Sequence, residues 1–137
     1  MTGEAQLSVL LSSMEPKLQT GRWVFTTIAT EKLPSVLDKI PAKELQSLYQ
    51  EAEGCSLILS EAQAEYLDLD ASDAFAAISL SIHSSLEAVG LTAAISTALA
   101  KEGISANVVA AYFHDHIYVP IDKAEAAMAC LAGLGQG

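Results

Sequence analysis

The order of the predicted elements in the second half of the chain constrains the fold more than any other feature. Residues 74–82 place apolar side chains at alternate positions, which indicates a strand with one buried face. Residues 91–102 carry apolar side chains spaced by three and four positions, and Gly103 follows where a capping glycine is expected. This pattern predicts a strand followed by an amphipathic helix that packs on a sheet.

The rest of this half extends the pattern. Residues 104–111 and 117–121 predict two more strands, joined by a tight turn near His114 and Asp115. Asp122 is placed to cap a last helix that buries one apolar face. The predicted order is therefore β-α-β-β-α.

The first half predicts a related order. Its predicted elements are a strand at 7–11, a short helix stopped by Gly21, a strand at 23–28, a helix at 42–52, a strand at 56–59 and a helix at 61–67. We interpret the segment at about 32–52 as a helical insertion into a first β-α-β-β-α unit. Two modules are therefore predicted, one of residues 1–70 and one of residues 71–137.

A fourth strand would complete each unit as βαββαβ. Residues 68–70 are placed to begin that strand in the first half, whereas no strand remains after the last helix of the second half. Two solutions stay open. Either the second unit borrows a strand from its sister, for example the N-terminal strand, or its sheet lacks one edge strand.

Composition limits the class of protein. The 137 residues include 7 Lys plus Arg against 17 Asp plus Glu, a formal net charge of −10, and 51% are hydrophobic. This composition argues against a disordered chain, and so acidic a protein lacks the basic patch that nucleic acid or an anionic membrane requires. No apolar run predicts a membrane span, and the N-terminus is not typical of a secretory signal. We expect a cytoplasmic protein in which Cys55 and Cys130 are thiols.

The negative charge is concentrated in one stretch. Between Glu44 and Asp73 there are eight carboxylates and no cation. A solvated acidic surface explains this stretch, and its irregular spacing gives no reason to expect a metal site there.

Several segments resemble one known family. They are IHSSLEAVGLT at 82–92, GIS at 103–105 and HDHIYVP at 114–120, and in the first half LLSSMEP at 10–16, WVF at 23–25 and EGCSL at 53–57. Through these segments the chain resembles small bacterial tandem ACT-domain proteins over nearly its whole length. The resemblance implies an α+β fold of two ferredoxin-like βαββαβ modules with antiparallel sheets side by side. It also implies a sensor of small molecules, most often amino acids, that binds its ligand between modules.

The loop before the helix at 91–102 is the first candidate binding site. Backbone N–H groups and the positive end of the helix dipole suit a carboxylate there, and Gly90 permits close approach. From the residues alone, a turn glycine and a threonine N-cap are the better explanation of this loop, because most loops between a strand and a helix bind nothing. The resemblance implies that the loop binds an amino-acid ligand. The expected contacts are Ser84, Ser85, Val89, Gly90, Leu91 and Thr92.

Asp115 is the second candidate. An Asp at a turn commonly accepts nearby backbone N–H groups, but it can also be the counter-ion of a ligand ammonium. The resemblance favours the counter-ion, which with the loop would give a zwitterion two opposite anchors. Tyr112 and His114 are then expected to contact the side chain of the ligand.

Other chemistries are less well supported by the sequence. His83, His114 and His116 leave a small metal-binding protein open as an alternative, because three protein ligands suffice for a catalytic zinc. No nucleophile elbow and no Gly-rich phosphate loop occur, so we expect neither an enzyme nor a bound cofactor.

The leading hypothesis is a regulatory protein that binds an amino-acid-like small molecule. The chief alternative is a protein–protein interaction module without a ligand, because a sheet of this type exposes one face unless a second module or chain covers it. Ser79, Ser81 and His83 lie on that predicted face, and we expect a homodimer.

Overall fold

The computed structural model describes residue 7, residue 9, residues 11–81 and residues 90–136. Its strands and helices are β1 (Pro16–Leu18), β2 (Trp23–Ile28), α1 (Leu33–Lys39), β3 (Leu45–Gln50), β4 (Cys55–Ser60), α2 (Glu61–Tyr66), β5 (Phe75–Leu80), α3 (Leu91–Lys101), β6 (Asn107–Ala110), β7 (Asp115–Pro120) and α4 (Ala124–Gln136). The chain forms two compact units. The first unit consists of residues 21–75, and the second consists of residues 1–20 together with residues 76–137.

The first unit has the βαββαβ order. Strand β4 pairs antiparallel with β2 on one side and with β3 on the other. Helix α1 connects β2 to β3, helix α2 follows β4, and the chain returns beside β2, where Ala71 bridges Thr26. One face of the sheet carries the buried cluster of this unit, made of Val24, Ile28, Ile40, Cys55, Leu57, Leu59 and Ala64.

The helix predicted at 42–52 is wrong. A 3₁₀ turn at Ala42–Glu44 leads directly into strand β3, and α1 is the regular crossover helix between β2 and β3, so no helical insertion spans 32–52. The register between β3 and β4 shifts between Leu45 and Ser47. Such an irregularity breaks the two-residue alternation of a strand, so the apolar side chains do not follow the pattern by which strands are predicted.

The second unit has the same order, with its last strand taken from the N-terminus. Strands β6 and β7 pair antiparallel, β7 neighbours β5, and β1 pairs antiparallel with the other side of β5. The strand order is therefore β6-β7-β5-β1, and β1 is the strand that the sequence of this half lacks. Of the two solutions left open by the sequence, the borrowed N-terminal strand is the one found.

Near the N-terminus, the predicted strand is a helix in the structure, and the predicted helix contains a strand. The described residues between 7 and 13 are helical, whereas the predicted helix contains strand β1. The apolar run was wrongly predicted as a strand because Leu7, Leu11 and Met14 are spaced by four and three positions and pack on the core of the second unit. Pro16 is the first residue of β1, a position in a strand where proline is tolerated.

The other predictions in the second unit are confirmed within a few residues. Helices α3 and α4 and strands β5, β6 and β7 occur where the sequence placed them. The predicted inner positions of β5 and the two helices form the buried core, which includes Ala76, Ile78, Leu80, Leu91, Ile95, Leu99, Ala127 and Leu131. Asp122 is an exception, because it lies inside a 3₁₀ turn at Ile121–Lys123 and caps no helix with its side chain.

Two further sequence expectations bear on these units. Both cysteines are free thiols; Cys55 is fully buried and Cys130 is half-buried. None of the described helices is long and apolar enough to cross a membrane.

Candidate functional site

Two strands of the second unit, β5 and β7, meet next to the predicted ligand contact Asp115. Ser79, near the end of β5, places its Oγ 2.8 Å from Nδ1 of His116, near the start of β7. The end of β5 and the start of β7 therefore lie side by side. The chain leaves the sheet here for the segment that leads to Gly90.

Gly90 begins helix α3 in an unusual way. It occupies the N-cap position with φ +92°, a left-handed conformation that L side chains rarely adopt, and offers no capping side chain. Its carbonyl oxygen accepts the N–H of Ala94 at 2.9 Å, while the N–H groups of the first turn have no acceptor within the helix. Gly90 therefore supplies no side-chain cap at the positive end of the α3 dipole, and no capping side chain is found among the described residues.

The course of the chain after α3 indicates where the start of this helix lies relative to Asp115. Helix α3 ends at Lys101, and β6 begins shortly afterwards at Asn107, which pairs with Tyr118 near the end of β7. A helix of 11 residues is about 16 Å long, so its start lies back towards the beginning of β7. Asp115 is the first residue of that strand.

Asp115 itself lies in the strand rather than in the turn predicted for it. It pairs with Ala110 and is half-buried, and the turn is formed by residues 111–114, where the N–H of Ala111 donates to the carbonyl oxygen of His114 at 3.1 Å. Because Ile117 and Val119 alternate with His116 and point into the core, the Asp115 side chain lies on the helix-facing side of the sheet.

The remaining predicted contacts differ in how much of each side chain is exposed to a ligand. Leu91 is 2% exposed and packs in the core, so only its backbone is available, whereas Thr92 is exposed. His114 is half-buried, and Tyr112 is 81% exposed and stacks edge-on against Phe113, with ring centroids 5.0 Å apart. The predicted contacts Ser84, Ser85 and Val89 lie outside the described residues, as does His83.

A groove of about 670 Å³ lies between α3 and α4, and Gly90 is one of its lining residues. Small side chains form most of its walls, including Ala94, Ala98 and Ala129. Asp115 does not line this groove. The course of the chain therefore puts Gly90 and Asp115 towards the same end of the unit, but Asp115 does not line the groove to which Gly90 belongs.

The opposite face of the sheet carries a polar network that the sequence did not reveal. Nε2 of Gln19 donates to Oγ of Ser79 at 2.7 Å, and the Ser79 hydroxyl is hydrogen-bonded in turn to His116. Burial, reinforced by the nearby His114, lowers the pKa of His116. Burial also raises the pKa of Tyr118, two residues along the same face, to about 12. Ser79 was predicted on this face, but its partners lie 60 and 37 positions away, where no local pattern links them.

The metal alternative gains no support from the described residues. No group of three His, Cys, Asp or Glu side chains comes together among residues 11–81 and 90–136. Nδ1 of His116 is engaged with Ser79, so that ring nitrogen serves the polar network.

Comparison with known families gives two adjacent matches. Residues 2–76 match one ACT domain family, and residues 71–133 match a second ACT domain family. No curated protein matches the chain.

Solved structures give the same result at the level of the fold. A protein of unknown function from Vibrio cholerae, named as a possible transport protein, is 42% identical, with 98% of this chain and 99% of that chain covered and a TM-score of 0.85. The ligand-free regulatory subunit of aspartate kinase from Thermus thermophilus is 12% identical, with 88% and 97% covered and a TM-score of 0.64. A protein from Agrobacterium tumefaciens is 16% identical, with 89% of each chain covered and a TM-score of 0.68.

Proposed function

Because the chain belongs to the ACT-domain family, we propose that it is a regulatory protein that binds a free amino acid at the Gly90–Asp115 end of its second unit. The family and the regulatory, ligand-binding character of its fold are the premise. The nature of the ligand and the residues that hold it are the proposal.

The observation that carries the proposal is the start of helix α3. As the N-cap residue, Gly90 gives the first-turn N–H groups no side-chain acceptor, none is found elsewhere in the described part of the chain, and Gly90 has no Cβ to obstruct a ligand. An uncapped helix N-terminus suits a carboxylate, through both its N–H donors and its dipole. In the proposed complex the backbone of Gly90, Leu91 and Thr92 binds the carboxylate of the amino acid.

Asp115 supplies the opposite charge in this proposal. It lies at the same end of the unit and on the same side of the sheet as the helices. A carboxylate is the natural partner of an ammonium group, and their hydrogen bond is charge-assisted. His114 and Tyr112 are then the proposed contacts for the ligand's own side chain, and the proposed Ser84, Ser85 and Val89 contacts complete the loop.

Thermal unfolding in the presence of each of the twenty amino acids tests the proposal. A ligand at 100 times its dissociation constant adds about 2.7 kcal/mol to the free energy of unfolding, which raises Tm by several degrees. Asp115→Asn should abolish the rise in Tm, because it removes the negative charge and keeps the shape. The matched control is Asp122→Asn, an exposed aspartate of the same unit, which should respond like the wild type.

An unchanged response in Asp115→Asn would refute the role given to Asp115. If no amino acid raises Tm, the ligand-free interaction module becomes the better explanation. That alternative and the proposed homodimer are checked by measuring the mass of the protein in solution, with and without the amino acids.

A further inference from the structure

A second groove, of about 520 Å³, opens on the sheet of the first unit. We call it the strand-face groove. Its floor is formed by Phe25 on β2 and Ile58 on β4, which are directly opposite each other in the antiparallel register. These residues alternate with Val24, Leu57 and Leu59 of the buried cluster, so the groove lies on the face turned away from that cluster.

Hydroxyl groups surround this apolar floor. Thr27 and Ser56 form the next cross-strand pair, and Ser47 and Tyr49 of β3 pair with Ile58 and Ser56. Residues 70–72 form one wall of the groove. The groove therefore has the composition of many small-molecule sites, an apolar floor with a few polar groups, and its volume is in the range that such sites occupy.

The wall is held in place by two hydrogen bonds between Ser72 and the backbone of Phe25. Oγ of Ser72 accepts the N–H of Phe25 at 2.9 Å, and the N–H of Ser72 donates to the carbonyl oxygen of Phe25 at 2.9 Å. The ring of Phe25 packs edge-on against Phe75, with centroids 5.1 Å apart. A fixed floor and wall reduce the ordering cost of binding.

The charged side chains described at the groove, Asp70 and Glu51, are both acidic. Asp70 lines the wall, and the Ser56 hydroxyl donates to the carboxylate of Glu51. None of the described residues that line the groove is Lys, Arg or His, and the groove is built largely from the stretch between Glu44 and Asp73 that carries eight carboxylates and no cation. The ring of Tyr49 is 70% exposed, so its face is accessible. Carboxylates beside aromatic rings attract organic cations through ionic and cation–π interactions.

We propose that the strand-face groove binds a small organic amine that has an apolar body and no carboxylate. The apolar body lies on Phe25 and Ile58, and the ammonium group lies between Asp70, Glu51 and the Tyr49 ring. An amino acid fits this site poorly, because its carboxylate would meet no cationic side chain among the lining residues that the structure describes. A second copy of the chain fits poorly as well, because it would bring the same negative charges together.

Three compounds that each contain a phenyl ring separate the contribution of the ammonium group from the effect of a carboxylate. NMR spectra of the full chain are recorded during titration with 2-phenylethylamine, with the neutral 2-phenylethanol and with phenylalanine. The amine should shift the signals of Phe25, Thr27 and Tyr49 in a saturable manner. The alcohol should bind about tenfold more weakly, since it lacks the charge. Phenylalanine should leave these three signals unchanged, and any shifts that it causes near Gly90 would report on the separate amino-acid site.

Substitutions then test the two kinds of contact. Asp70→Asn removes a charge and Tyr49→Leu removes an aromatic ring, and each should weaken binding of the amine about tenfold. Asp38→Asn and Tyr66→Leu are matched controls, because both residues are exposed, belong to the same unit and do not line the groove. Equal affinity for the amine and the alcohol, unchanged binding by Asp70→Asn, or the absence of saturable shifts at Phe25 and Tyr49 would overturn the proposal.

Discussion

Two glycines show how the surroundings of a single residue decide what it contributes. Gly54 is buried between β3 and β4, and its carbonyl oxygen accepts the N–H of Glu51 at 2.8 Å. A Cβ at Gly54 would lie 2.8 Å from the carbonyl oxygen of Ile28 and 3.1 Å from Oγ1 of Thr27. A Cβ at Gly133, in helix α4, would meet no atom within 4 Å.

Alanine at these two positions should therefore have opposite effects on stability. Gly54→Ala forces the backbone of β2 or β4 to move and should lower the free energy of unfolding by about 1–3 kcal/mol. Gly133→Ala replaces the poorer helix former and should raise it by about 0.5–1 kcal/mol. Urea unfolding of both variants and the wild type gives the comparison. If Gly54→Ala is as stable as the wild type, the backbone near Ile28 must be able to move at little energetic cost.

At the level of elements, prediction from sequence succeeded where the contacts that fix an element lie within it. Helix α3 was predicted because Leu91, Ile95 and Leu99 form one stripe, and all three are buried. Strand β3 was missed because its irregular pairing with β4 removes the alternation. Strand β1 was missed because its partner, β5, lies about sixty residues away, and no local pattern encodes that pairing.

The candidate site follows the same rule. Gly90 was identified from its place before a helix, and its left-handed N-cap conformation is a local property. The chain from Gln19 through Ser79 to His116 joins three elements distant in sequence, and only the sheet brings them together. Side chains that meet across strands are therefore the part of a site that periodicity does not reveal.

The junction of β5 and β7 should make stability depend on pH through His116. Burial lowers the pKa of His116 in the folded protein below the ordinary value of 6.5. As the pH falls below about 6.5, the unfolded chain takes up this proton before the folded chain does, so stability present at higher pH is lost. His116→Gln should lose less stability than the wild type between about pH 8 and about pH 5.

Urea unfolding at several pH values measures this difference. Ser79→Ala is the informative control, because it removes the hydroxyl partner but leaves the half-buried imidazole in place. Its stability should be lower than that of the wild type but should keep a similar pH dependence. Parallel pH profiles for His116→Gln and the wild type would show that another group causes the loss.

At the scale of the whole molecule, the boundary between the two family matches does not coincide with the boundary between the two compact units. The ACT matches divide the sequence near residues 71–76, yet residues 11–20 belong to the same compact unit as the described residues after position 75. Strand β1 pairs with Ile78, Ser79 and Leu80, and Met14 is buried in the core of that unit. The N-terminal segment therefore contributes both hydrogen bonds and apolar burial to a unit encoded far downstream.

Removal of this contribution should weaken the second unit selectively. Met14→Ala deletes a side chain that is 5% exposed, and the loss of a buried Met side chain costs about 2–5 kcal/mol. Amide protons of β5, α3 and β7 should then exchange at least about tenfold faster, because the unit opens more often. Those of β2 and β4 should keep their protection. Deletion of residues 1–20 should have the same selectivity with a larger effect.

The reciprocal variant, Ile40→Ala, provides the matched control. Ile40 is 8% exposed and belongs to the buried cluster of the first unit, so its truncation should accelerate exchange in β2 and β4 and spare β5, α3 and β7. If the N-terminal segment instead belonged with residues 21–70, Met14→Ala and Ile40→Ala would weaken the same strands. Hydrogen exchange resolved by residue distinguishes these outcomes, because the two arrangements predict opposite locations for the effect of one methionine.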